Sequence, residues 1–278
     1  MYAGSHKNGD IRKMDVYFPP IQRDDRACVV LLHGGGFAEG GRNDDWSVKS
    51  ANTLAERGFV VFSIDYRLGM NNADMVRENF SLFKFHNMME YCIRLAVEDL
   101  GLALGAIFEH EKELNVDRDK IVLAGSSAGA ITVLQFDFCR TNLALGHSHQ
   151  RMFKWWRPAA VVAYSGGLMC GRRSFNMTFT CAPLLLFHGV EDRIVKPGRR
   201  ICSLKRDFFG SAKIYEQLAD DWSQMCWYYR FMDVGHEVST LLPDTMDLFC
   251  EFVEQAFAGE RNKRKVLVEY DSKVRPTE

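Results

Sequence analysis

Read for its alternation of apolar and polar positions, the chain is a series of short, nearly continuous apolar runs separated by stretches with helical spacing. The runs lie at 27–32, 59–64, 121–124, 159–164, 183–187 and 227–232. Unbroken apolar runs of this length suit central strands covered on both faces. Between them, 47–58 carries Val48, Ala51, Leu54 and Ala55 at the spacing of one helical face and stops at Gly58. A longer helix is predicted over 88–114, apolar at Tyr91, Leu95, Leu102, Ile107 and Leu114 but weakened by Gly101 and Gly105. Further helices are predicted over 130–138, 211–219 and 245–257. Residues 11–18 alternate as an edge strand does, end at Pro19-Pro20, and predict a hairpin partner next. Residues 69–87 read as an irregular connection forming a rim or partial lid, and 168–181 as a short variable segment.

Strands alternating with helices imply an α/β fold with a mostly parallel central sheet and helices on both faces. A single domain spanning 1–278 is expected, its core at about 10–258. The tail, 259–278, is charged apart from Val266, Leu267 and Val268. Three readings stay open for it: a frayed end, an added edge strand, or a homodimer contact. At 278 residues, 47% hydrophobic and 26% charged, the chain has the composition of an ordinary globular protein. Its net charge of -1 gives no basic surplus to attract nucleic acid or an anionic membrane. No apolar run approaches the roughly 18 residues of a membrane span. Residues 1–10 are polar and hold no apolar leader core, which points to a cytoplasmic protein; a periplasmic or secreted one follows if a leader precedes this sequence. The cysteines at 28, 92, 139, 170, 181, 202, 226 and 250 are scattered with no C-x-x-C spacing. Buried free thiols are the default, and neither a metal site nor a cofactor is expected.

Chemistry enters where the apolar runs end. The run at 121–124 ends in Gly125-Ser126-Ser127-Ala128-Gly129, one G-x-S-x-G match centred on Ser127. Small neighbours let the following helix approach closely and hold the serine in a strained, exposed turn. Alone, the match reads equally well as a small-residue turn into a buried helix. The run at 27–32 ends in His33-Gly34-Gly35-Gly36-Phe37, whose unshielded backbone N–H groups can converge on one spot. The run at 183–187 ends in His188-Gly189-Val190-Glu191-Asp192, and the last in Gly235-His236-Glu237. In parallel sheets ligand groups gather at the carboxyl ends of the strands, so these four motifs are expected along one edge.

The order glycine loop, Ser, Asp, His is that of an α/β-hydrolase. With HGGGF at 33–37, DYR at 65–67, GSSAG at 125–129, HGVED at 188–192 and GHE at 235–237, the chain resembles the carboxylesterase and hormone-sensitive-lipase-like group over about residues 10–258. Two features depart from that group. Ser126 stands where an acidic residue is common, and the sequence is too short before residue 10 and between Tyr164 and Cys181 for a substantial helical cap, which implies an open site.

The resemblance implies a serine carboxylic-ester hydrolase acting on a small-molecule ester. Ser127 would be the nucleophile, His236 its base and Asp192 the acid that orients His236. Backbone N–H groups of Gly35, Gly36 and Ala128 would form the oxyanion hole. Asp65, Tyr66 and Arg67 would brace that loop. Glu191 is the nearest rival for the acid. Asp220 and Asp221 read as a solvated turn, Asp233 as a residue of the approach strand, His33 and His188 as structural histidines orienting loop backbone, and Trp155-Trp156 as packing. The acyl group would be short or aromatic, carbohydrate-linked esters being one option. Alternatives are an amidase, arylformamidase or exopeptidase with the same triad, and a catalytically silent binding protein on the same scaffold.

Overall fold

The apolar runs form the strands of one sheet, and the alternation within each strand supplies a core on both sides of it. The computed structural model describes residues 12–71, 82–141, 153, 155–171, 181–201, 206–219, 225–259 and 265–270. Strand β1 (Met14–Tyr17) is followed by β2 (Cys28–Leu32), helix α1 (Asp45–Glu56), β3 (Val60–Ile64), α2 (Leu82–Glu109), β4 (Ile121–Ser126) and α3 (Ala128–Thr141). Then come β5 (Ala160–Tyr164), β6 (Gly167–Gly171), β7 (Leu184–Gly189), β8 (Arg199–Ile201), β9 (Arg206–Gly210) and α4 (Ser211–Ala219). The chain ends in β10 (Cys226–Phe231), α5 (Met246–Phe257) and β11 (Lys265–Tyr270). The large sheet has the order β1-β3-β2-β4-β5-β7-β10-β11. All its pairings are parallel except β1 with β3.

Strand β2 shows how the two-sided core arises. Cys28, Val30 and Leu32 face one apolar cluster, which they share with residues of α2 and α3. Val29 and Leu31 face the other, under α1 and α5. Burying each such side chain contributes on the order of 1.5–3 kcal/mol before entropy is counted. Helix α1 starts where the Asp44 side chain accepts the Ser47 N–H at 2.7 Å, and it buries Ala51, Leu54 and Ala55.

Several expectations need correction. Strand β1 forms no hairpin with its successor; it pairs antiparallel with β3, because β2 is already flanked by β3 and β4. The long helix begins at Leu82, inside the stretch read as an irregular connection; residues 72–81 of that stretch lie outside the described residues. Where the segment read as variable begins, Gly167–Gly171 is a strand of a second, antiparallel sheet of order β6-β9-β8, and 172–180 lie outside the described residues. Leu168, Met169, Phe208 and Phe209 of this small sheet are buried in the same cluster as α3. In the tail, β11 joins β10 as a parallel edge strand. Among the described residues, no helix is long and apolar enough to cross a membrane.

Candidate active site

Strand β4 delivers Ser127 into a turn with φ of 48°, a left-handed conformation that costs a side-chain-bearing residue about 1–3 kcal/mol. The surroundings hold it there. Its N–H donates to the Tyr164 carbonyl of β5 at 2.9 Å, and its own carbonyl accepts the Ile131 N–H at 2.9 Å, beginning α3. The glycines on either side are required by space. A Cβ on Gly125 would lie 2.4 Å from the Gly129 carbonyl carbon, and one on Gly129 would lie 2.3 Å from the Leu32 carbonyl oxygen. The serine is less open than the sequence suggests, at 8% exposed. The loop after β2 lies against it, a Cβ on Gly34 falling 3.4 Å from the Ser127 Cβ.

The histidine and the acid arrive from the next strands. Strands β7 and β10 are neighbours, and their ends press so closely that a Cβ on Gly189 would lie 2.2 Å from the Gly235 carbonyl oxygen. The loops that follow therefore meet. His236 Nε2 lies 2.9 Å from Ser127 Oγ, and its Nδ1 lies 2.8 Å from Asp192 Oδ2. The other carboxylate oxygen, Oδ1, accepts the N–H groups of Ile194 at 2.9 Å and Val195 at 2.8 Å. Burial alone would raise the Asp192 pKa; hydrogen bonds from His188, His236 and the Val195 N–H outweigh it and hold the carboxyl well below the usual range. Glu191 is exposed and ties only its backbone, N–H to Val234 carbonyl, into the turn. Asp233 is exposed with φ of 56°. Asp220 and Asp221 lie outside the described residues.

Gly35, Gly36 and Phe37 have φ of 96°, 61° and 61°, which curls the loop after β2. The buried Phe37 ring anchors it edge-on against Tyr66, their centroids 6.1 Å apart. Tyr66 also stacks on His33 at 4.3 Å, and its hydroxyl reaches the His33 carbonyl at 2.8 Å and the Gly34 carbonyl at 3.1 Å. Burial pushes the Tyr66 phenol well up, so it stays a donor. Burial lowers the His33 pKa against the opposing Gly34 bond, and the neutral ring donates from Nδ1 to the Gly34 carbonyl at 2.7 Å. Behind Tyr66, Arg67 meets the fully buried Asp99 of α2 at 2.9 Å, and Arg12 meets the same carboxylate at 3.2 Å. Asp65 accepts the Arg42 N–H at 3.1 Å.

His188 is buried between the Val195 carbonyl, 2.8 Å from Nε2, and Ser211 Oγ, 2.8 Å from Nδ1. Ser211, the first residue of α4, carries no motif by which sequence reading could have found it. The Trp pair divides: Trp156 packs on Phe108 and Phe153 and donates to the Arg118 carbonyl at 2.9 Å, while Trp155 is 89% exposed. Among the described residues, the cysteines are free, and no cluster of His, Cys, Asp or Glu is built to hold a metal.

A family model described as BD-FAE matches residues 14–142, the stretch from β1 through the Ser127 turn and α3. The carboxylesterase NlhH of Mycobacterium tuberculosis is 32% identical over 114 residues, 41% of this chain and 30% of that enzyme. The chain thus spans less than a third of the curated relatives it matches. An esterase of Thermogutta terrifontis, Est2, superposes with a TM-score of 0.62 at 20% identity, covering 90% of this chain and 89% of the other. Est2 is also known with butyrate and with propionate bound, and phosphorylated by paraoxon. MGS-M1, an α/β-hydrolase enzyme from a deep-sea metagenome library of the Medee basin, superposes with a TM-score of 0.59 at 17% identity over 92% and 95% of the two chains. The chain has the α/β-hydrolase fold.

Proposed function

We propose that this α/β-hydrolase-fold chain is a serine carboxylic-ester hydrolase that works through an acyl-enzyme on small esters with short or aromatic acyl groups, carbohydrate-linked esters among them. One observation carries the reading. Ser127, His236 and Asp192 stand in line at 2.9 and 2.8 Å, with the glycine loop against the serine. His236 Nε2 takes the Ser127 proton as Oγ attacks the ester carbonyl, and the tetrahedral oxyanion forms against the N–H groups of Gly35, Gly36 and Ala128. Collapse breaks the bond to the alcohol, which leaves with the proton from His236. Water, deprotonated by the same nitrogen, then attacks the acyl-enzyme, frees the acid and restores Ser127. Asp192 stays ionised throughout and stabilises the imidazolium. Each oxyanion donor is worth about 3 kcal/mol of barrier. The short acyl preference rests on the likeness to Est2, known with propionate and butyrate bound.

The test is hydrolysis of p-nitrophenyl acetate, butyrate and a feruloyl ester by the wild-type chain and Ser127→Ala. Prompt release that paraoxon abolishes, and a loss of about four to six orders of magnitude in kcat for Ser127→Ala, are expected. Full activity in Ser127→Ala overturns the triad. Serine-dependent cleavage of anilides but not esters would move the reading to amidase chemistry. Because protonated His236 cannot accept the serine proton, kcat/KM is expected to fall toward acid pH. The depressed Asp192 pKa means no second acid limb appears above about pH 4. A flat profile from pH 5 to 8 would count against His236.

A further inference from the structure

The candidate triad is the front half of a longer hydrogen-bonded chain. Behind Asp192 stands a second His–Ser pair. His188 Nε2 lies 2.8 Å from the Val195 carbonyl and 3.4 Å from Asp192 Oδ2, the same oxygen that faces His236. His188 Nδ1 lies 2.8 Å from Ser211 Oγ, which reaches the Gly166 carbonyl between β5 and β6 at 3.3 Å. His188 and Ser211 are fully buried, so Ser211 is no second nucleophile.

The partners assign the proton. Nε2 faces two acceptors, a carbonyl and a carboxylate, and must carry the hydrogen. In the neutral ring Nδ1 is then the acceptor and takes the Ser211 hydroxyl, whose alternative partner, the Gly166 carbonyl, is farther away.

We infer that His188 is a positioning residue for the acid, held in its Nε2–H form by Ser211 and aiming Asp192 Oδ2 at His236. This rests on the esterase reading above. A buried histidine satisfied at both nitrogens would serve as scaffold alone, but two features of this one go further. The carbonyl it binds belongs to Val195, whose N–H holds Asp192 Oδ1, so one residue links the imidazole to the carboxylate. Its Nε2 also lies 3.4 Å from the oxygen that receives the His236 Nδ1–H. Of the two links, the 2.8 Å bond to Val195 is much the stronger, so losing His188 chiefly lets the 192–195 turn relax and the His236–Asp192 bond lengthen. Other titratable groups near this chain are Glu191 and Arg193 beside Asp192, and Asp233 and Glu237 near His236. All four are exposed and point no resolved bond at the carboxylate among the described residues.

The experiment compares wild type, His188→Leu, His188→Gln and Ser211→Ala on p-nitrophenyl butyrate across pH, with unfolding curves for each. It also records the downfield proton NMR signal of the His236 Nδ1–H in the substrate-free protein. In His188→Leu, kcat is expected to fall about 10- to 100-fold with KM within about twofold. The acid limb of kcat/KM moves to lower pH, because an imidazolium with a weaker carboxylate partner loses its proton more readily, and the downfield signal is lost or moves upfield. His188→Gln, which keeps an N–H donor, recovers most of the rate; Ser211→Ala, which leaves the ring in place, loses severalfold with the same direction of shift.

A folded His188→Leu with wild-type kcat and acid limb overturns the inference. So does a loss of rate that leaves the acid limb and the downfield signal unmoved. Should His188→Leu not fold, the Gln and Ser211→Ala variants decide by the same criteria. Should the wild-type chain hydrolyse no ester, the esterase reading fails, while the downfield signal still reads whether His188 aims Asp192.

Discussion

Tyr66 shows what one side chain does for the site. Its ring wedges between His33 and Phe37, and its hydroxyl holds the two carbonyls that precede the curled glycines. Tyr66→Phe keeps the packing and removes those bonds, a loss of about 0.5–1.5 kcal/mol. The expected result is a kcat about three- to tenfold lower with KM little changed, read by steady-state hydrolysis. At this scale much was legible. Ser127, Asp192 and His236 each follow an apolar run directly, so the position of each at a strand end could be read from the chain. The resemblance also ranks Asp192 over Glu191, because Asp192 stands at the position the family uses for its acid. What could not be read was partnership across the fold: that Tyr66 serves the loop while Asp65 binds Arg42, or that Ser211 stands behind His188. Those contacts join residues 23 to 45 positions apart, and no local pattern encodes them.

Among the elements, α2 does more than cover the sheet. Its Asp99 is fully buried, meets Arg67 and Arg12, and accepts the Arg67 backbone N–H at 2.8 Å, so the loop after β3 is fastened to the helix at one carboxylate. Asp99→Ala removes the buried carboxylate that Arg12 and Arg67 share, Arg67 keeping Glu98 at 3.0 Å, and is expected to cost about 3–5 kcal/mol, seen as a lower urea midpoint. Asp99→Asn, which keeps two hydrogen-bonding atoms, should cost less. Long apolar strands and helices were readable because burial on both sheet faces writes itself as unbroken apolar runs. The second sheet was not. Gly167–Gly171 and Arg206–Gly210 begin or end in glycine, Arg199–Ile201 is three residues long, and the partners of β6 in β9 stand 35 to 43 positions away and leave no periodic trace. The hairpin misreading has a similar cause: an edge strand looks the same whichever neighbour it pairs with.

Over the whole molecule, the site draws on the carboxyl ends of β2, β4, β7 and β10, while β11 closes the sheet beyond them. Val266, Leu267 and Val268 pair with Trp227, Tyr228 and Tyr229. A chain ending at Gly259 is expected to keep the proposed ester hydrolysis and to unfold in one cooperative transition, as a single domain does. Its urea midpoint should be lower by about 1–3 kcal/mol of stability, with more light scattering from the bared edge of β10. Two separate transitions would argue for two domains.

The turn at Ser127 has a further consequence for how this sequence can change over generations. Gly125 and Gly129 touch each other and the end of β2 so closely that neither accepts even a methyl group. The serine between them occupies a left-handed backbone conformation that the packed turn and its hydrogen bonds sustain. A single-codon step at either glycine therefore spoils the turn before any benefit elsewhere can be selected. The residues around the turn can drift one at a time, while the turn itself is inherited as a block.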